Sequence, residues 1–175
     1  MEMHTLTPIK NALEQKVTEY YINNAPAIEQ ILHTQSVAAY TRLIAYGEGW
    51  DQHQTDLIEI AAWLHDIGCP NARKLYGNSL PAHQESEGKK LVEEWLKNET
   101  GLTAEEKVWL ADVVGTHHQY PSAVKLHFSP LFEADLIVNL VEGYYKMDKA
   151  QHLFDTMMIT PTGKKLYAAL FLTKE

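Results

Sequence analysis

The stretch LIEIAAWLHDIG, residues 57–68, decides how the chain is read. Leu57, Ile58, Ile60, Ala61, Ala62 and Leu64 belong to a helix bound for a core, and that helix finishes on His65 and Asp66 side by side. An unpartnered carboxylate in an apolar setting costs several kcal/mol. The pair therefore either sits at the surface or is held by something cationic. Gly68 and Pro70 read as the stop.

Outward from this stretch, the pattern stays helical. Ile9, Leu13, Val17 and Tyr20 or Tyr21 recur at helical spacing from Pro8 to about Asn23. Pro26 opens a second helix to Gly47, with Ile28, Ile31, Leu32, Val37, Leu43 and Ile44 as its apolar residues and His33 inside it. The third begins near Gln54 or Thr55 and runs into WLHDIG. NARKLYGNSLP (71–81) reads as a loop, and residues 82–97 as a helix with His83 in its first turn. Thr103 followed by Glu106 is a capping box, opening a helix that ends on Thr116, His117 and His118. After a loop with Pro121, Pro130 opens PLFEADLIVNLVEGYY, which carries Asp135 among apolar neighbours. Short helices near 148–158 and 162–173 complete an all-α, single-domain expectation for residues 1–175, with the core at about 26–145.

Composition narrows the function classes. At 175 residues with 45% hydrophobic content, the chain can bury one sizeable core. Its net charge of -8 disfavours binding long nucleic acid, which needs a positive surface, but leaves room for a small phosphorylated ligand brought in by a metal. MEMHTLTPIKNALEQK lacks the apolar segment of a secretion signal, and no stretch approaches a membrane span. The single Cys69 forms no internal disulfide, so a cytoplasmic protein is expected, and homodimer formation stays open.

Six polar residues sit in apolar helical contexts: His33, His65, Asp66, His83, His117 and Asp135, with His118 beside the fifth. Imidazole and carboxylate together suit divalent metals such as Mn, Fe, Co, Ni and Zn. Four donors could saturate one ion, and six with a shared carboxylate would suit two. Taken singly, His33 reads as an ordinary helix histidine, whereas His83 reads as a ligand before it reads as a first-turn residue facing water. Asp135 resists that treatment, because an aspartate between Phe132 and Leu136 is poor helix design without a partner. His118 reads equally as a substrate-phosphate contact or a surface residue. Arg73 and Lys74, following the motif, either grip phosphate or are solvated.

The ordered set His, His-Asp, His, His, Asp on an all-α chain resembles the HD-domain superfamily of metal-dependent phosphohydrolases, with His65-Asp66-Ile67-Gly68 matching its HDIG signature. ILHTQSVAAYTRLI, AHQESEGKKLV, ADVVGTHHQ and LFEADLIVNL resemble its flanking elements, over roughly residues 26–145. The resemblance implies a helical bundle with the metal site between helices. It implies that His33, His65, Asp66 and Asp135 hold one divalent ion and that Asp66 bridges to a second, held by His83 and His117. Asp66 and His118 are the expected catalytic residues, and Arg73 and Lys74 the expected substrate-binding ones. The layout is closest to the dinuclear, symmetrical dinucleoside-tetraphosphate hydrolase-like branch, whereas HHQYPSA lacks the Gly-Tyr-Pro stretch of the cyclic-di-GMP enzymes. The expected activity is hydrolysis of a small nucleotide or related phosphate ester. A di-iron oxygenase and a non-catalytic metal- or nucleotide-binding module are the alternatives.

Overall fold

A computed structural model describes residues 5–24 and 26–172 of the chain. His4, which carries no expected role, and Thr173, the expected end of the last helix, lie outside the described residues. Among those residues the fold is all-α, without a strand. Helices α1 (Thr7–Ile22), α2 (Ala27–Gly47) and α3 (Gln52–Leu64) are followed by α4 (Cys69–Tyr76), α5 (Pro81–Leu96) and α6 (Ala104–Val114). Then come α7 (Tyr120–Lys125), α8 (Ser129–Val141), a 3-10 turn at Met147–Lys149, α9 (Ala150–Met157) and α10 (Pro161–Phe171). None of the helices is long and apolar enough to cross a membrane.

The core forms around α3, which packs on α1, α2, α6 and α8. It starts cleanly because Asp51 accepts from the Gln54 amide while the Gln54 side chain accepts from the Asp51 amide. From Ile58 onward every residue of α3 is buried, so its last turn delivers the chain into the interior. Helix α8 is the second inner element, buried from Pro130 to Val138. The capping box at Thr103 and Glu106 forms as the sequence predicts.

Two segments depart from the expected loops. Residues 69–76 are helix α4, and residues 120–125 are helix α7. Pro70 and Pro121 lie in the first turns of these helices, where the missing amide hydrogen costs nothing. Arg73 and Lys74 consequently ride on the last turn of α4 rather than on a loop. Gly68 is not a left-handed terminator either, since its φ is -75°. Its role is contact: an added Cβ would overlap the Gln84 carbonyl oxygen and the Gly88 backbone. Gly68 and Gly88 thus let the start of α4 and the body of α5 approach backbone to backbone.

Helix α1 is pinned to α3 by a buried carboxylate. Asp56, with none of its surface exposed, accepts from Thr5 Oγ1 (3.3 Å), Thr7 Oγ1 (2.7 Å), Lys10 Nζ (2.8 Å) and Gln52 Nε2 (3.0 Å). Burial opposes its charge, but Lys10 and Thr7 outweigh it and hold its pKa below the ordinary value. Asp56→Ala, which takes the shared acceptor from Thr7, Gln52 and Lys10 and leaves Lys10 to Glu59 alone, is expected to cost about 3 kcal/mol. In a chain of this size that is a fall of roughly 6–12 °C in Tm. Because the folded pKa is depressed, the stabilisation is present above about pH 4 and drains away as pH falls through the folded value. Equilibrium denaturation of wild type and Asp56→Ala across that range checks both statements: their difference should narrow in acid.

Candidate metal centre

Four elements converge on one spot. The buried stripe of α2 runs through Gln30, His33, Thr34, Val37, Ala38 and Thr41, so helical period alone aims His33 inward. His65 and Asp66 occupy the turn directly after α3. Asp135 lies in the middle of α8, on its buried surface, and His117 lies in the turn after α6. All five are buried, with exposures of 9% or less.

The spacing of their polar atoms is informative. His33 Nε2 lies 3.2 Å from His65 Nε2, 3.2 Å from Asp135 Oδ1 and 3.5 Å from Asp66 Oδ2. His65 Nε2 is 3.7 Å from each of the same two carboxylate oxygens. Donor atoms held about 2.1 Å from one ion stand roughly 3.0 Å apart at right angles and roughly 3.4 Å apart in a tetrahedron. His33, His65 and Asp66 stand at separations suited to ligands of one cation, with Asp135 Oδ1 beside both imidazoles.

The outer nitrogens fix which face of each ring looks inward. His65 Nδ1 is 2.6 Å from the Ala62 carbonyl and His117 Nδ1 is 2.8 Å from that of Val114. A carbonyl only accepts, so both Nδ1 atoms carry hydrogen and each ring turns its Nε2 toward the cluster. Burial, together with the neighbouring His118 and His65, lowers the His117 pKa and keeps its ring neutral. Its Nε2 is buried without a hydrogen-bond partner, 3.6 Å from Asp66 Oδ1. Two lone-pair-bearing atoms facing each other in the interior repel unless a cation lies between them.

Charge in the cluster is strongly coupled to this arrangement. Burial works against the His33 imidazolium, yet its hydrogen bond to Asp135 and the charges of Asp66, Asp135 and Glu142 push its pKa up to about 10. Its Nδ1 is anchored 2.9 Å from Glu142 Oε2. Burial also opposes the two aspartate charges, but His65, His117 and His33 hold Asp66 well below the usual carboxylate range, and His33 and His65 do the same for Asp135. Asp66 Oδ2 further accepts from Gln30 Nε2 at 3.0 Å, while Gln30 Oε1 accepts from both terminal nitrogens of Arg73 at 3.2 and 3.3 Å. The guanidinium thereby fixes the Gln30 amide so that its NH₂ faces the carboxylate.

A second group adjoins the first. Glu85 Oε1 accepts from the His118 amide (3.0 Å) and faces His118 Nδ1 (3.3 Å), and Glu85 Oε2 accepts from Gln119 Nε2 (3.2 Å). Burial opposes the His118 charge, but Glu85 and then Asp135 and Asp66 raise its pKa. Two groups of side chains could therefore hold metal ions: His33, His65 and Asp66, and Glu85, His117 and His118.

Of the residues singled out from sequence, His33, His65, Asp66, His117 and Asp135 are brought together and His118 stands beside them. His83 is placed elsewhere, with Nδ1 2.8 Å from Asn78 Oδ1 and its ring stacked on Tyr76 at 4.1 Å. Arg73 lines the cavity above the cluster, whereas Lys74 is exposed on the outer side of α4. Gln30, Glu85 and Glu142 escaped the sequence reading. Gln30 was within reach, three residues before His33 and so on the same helix face, and Glu142 follows Asp135 by seven. The cavity measures about 910 Å³, with His33, Asp66 and Asp135 in its polar part.

The fold and this cluster together define an all-α chain with a buried histidine-carboxylate centre at the base of an open cavity. No protein-family model, curated protein or solved structure matches the chain.

Proposed function

We propose that the chain is a metal-dependent phosphohydrolase acting on a small phosphorylated molecule. The observation that carries this reading is the convergence of His33, His65 and Asp66 at one-ion spacing, with Asp135 beside the two imidazoles, beneath a cavity lined by Arg73. Those four residues would hold one divalent transition ion. Asp66 Oδ1, His117 and Glu85 would hold a second, in place of the set with His83 that the resemblance implied. A bound ion supplies Lewis acidity toward a phosphoryl oxygen and lowers the pKa of water.

The remaining work falls to the chain itself. Arg73 offers a planar fork of donors to non-bridging phosphoryl oxygens, and Gln30 keeps that fork level with Asp66. His118, oriented by Glu85 and with its pKa raised, is placed to give a proton to a departing oxygen. In the net reaction the oxygen of water bonds to phosphorus, the phosphorus–oxygen ester bond breaks, and the leaving oxygen takes up a proton.

The test is a panel of phosphate esters and anhydrides incubated with protein loaded separately with Mn, Fe, Co, Ni or Zn. Hydrolysis is expected with at least one ion, abolished by chelator and lowered by about two orders of magnitude or more in His118→Ala, the range of one acid catalyst. Absence of hydrolysis across the panel would remove the reading, and iron-specific oxygen consumption would replace it with an oxygenase.

A further inference from the structure

His33 differs from the other two buried imidazoles of the centre in how its outer nitrogen is held. His65 and His117 follow the ends of α3 and α6, and their Nδ1 atoms face the carbonyls of Ala62 and Val114. The last carbonyls of a helix have no partner within it, so acceptors of this kind come with the fold. His33 lies in the interior of α2, where the carbonyls are already taken by the amides of the helix itself. A side chain stands in for them: Glu142, whose Oε2 is 2.9 Å from His33 Nδ1. Of the acceptors facing these three Nδ1 atoms, it is the one that a substitution can remove without disturbing the backbone.

The place of Glu142 on α8 points to the same work. It follows Asp135 by seven residues, close to two full turns, so both project from one side of the helix. Asp135 Oδ1 meets His33 Nε2 at 3.2 Å while Glu142 Oε2 meets Nδ1, so one helix grips the ring by both nitrogens. The second torsion of a histidine is broad and roughly twofold, and packing along α2 alone leaves the orientation of the ring open. Glu142 is also the C-cap of α8, where a negative charge stands at the negative end of the helix dipole. Its carboxylate works against α8, and the bond to His33 offsets that.

We infer that Glu142 is a positioning residue of the metal centre: by accepting the Nδ1 hydrogen of His33 it keeps Nε2 turned toward the ion and sets how tightly the ion is held. The inference rests on the metal-centre reading and adds to it a carboxylate that acts through His33 rather than on the ion. The bond matters through orientation more than through charge, because any fixed oxygen acceptor at that point selects the same ring position and the same tautomer.

Cobalt binding to the chelator-stripped full chain, followed by titration and by the visible absorption of the bound ion, tests this with three variants. Glu142→Ala should weaken binding by about 10–100-fold, the range for losing a group that orients a ligand. It should also alter the cobalt spectrum, since His33 no longer presents Nε2 in one fixed position. Glu142→Gln keeps an oxygen that accepts the same hydrogen, so its affinity should lie nearer to native and its spectrum should match. Glu29→Ala takes a carboxylate from the same cavity without touching the Nδ1 bond, and should leave both readouts close to native. Native affinity and spectrum in Glu142→Ala, equal losses in the alanine and glutamine variants, or an equal loss in Glu29→Ala would each overturn the inference while leaving the metal centre standing. A native chain that takes up no cobalt removes the centre and the inference together.

Discussion

Asp66→Ala is expected to weaken divalent-ion binding by at least a hundredfold, beyond the ~10–100-fold typical of losing a group that only supports a ligand. Its two oxygens serve different neighbours: Oδ2 faces His33 and His65, and Oδ1 faces the unpartnered His117 Nε2. No other side chain in the cluster spans both groups of donors. Removal also leaves the Gln30 amide without its acceptor and Arg73 without the relay that positions it. Asp66→Asn keeps the shape and the bond from Gln30 but loses the charge, so it should bind metal almost as poorly. If either variant binds metal like the native chain, Asp66 is not the shared ligand.

The second large effect lies two residues on. Gly68→Ala is expected to destabilise the fold by about 3 kcal/mol or more, the upper end of what an inserted methyl costs. The atoms that an added Cβ would meet at Gly68 are backbone atoms of α5, which cannot rotate away. Gly77 is a useful contrast, because its φ is 72° and nothing lies within 4 Å of an added Cβ. Gly77→Ala should therefore cost only about 1 kcal/mol, a backbone penalty without a clash. Thermal melts of the two variants check the difference: Gly68→Ala should melt lower than Gly77→Ala by several degrees. A Gly68→Ala protein as stable as the native chain would mean that α4 and α5 are not in backbone contact.

What the sequence made legible follows from which interactions are local. The apolar run of α3, the capping box of α6 and the buried Asp135 of α8 are written within a few residues of one another, and each appears in the structure. The missed helices α4 and α7 share one cause. Proline was read as a stop after Gly68 and near residue 121, although proline in a first turn starts a helix as readily as it ends one. Periodicity also assigned Ile28, Leu32 and Leu43 to the apolar side of α2, yet all three are more than half exposed. Leu32 instead borders the cavity.

The site was legible in the same uneven way. His33, His65, Asp66, His117 and Asp135 announce themselves as costly groups in apolar company. Choosing between His83 and Glu85 depends on the phase of α5, which is set by its start at Pro81 and its contact with Gly68. That contact joins residues 16 or more apart and leaves no local trace. Gln30 and Glu142 are ordinary surface residue types whose roles exist only once α2 meets Asp66 and α4, for the first, and the end of α8, for the second.

The central claim, that these side chains form a metal centre, is tested most directly by calorimetric titration of the chelator-stripped full chain with Mn, Co or Zn at several pH values. The structure predicts saturable binding at micromolar affinity or tighter. Because the His33 pKa lies near 10 in the ion-free cluster, its proton must leave on binding. Proton release should therefore accompany binding at neutral pH, and affinity should rise as pH climbs toward that value. Absence of binding in this range, or binding equally strong in Asp66→Ala, would contradict the account.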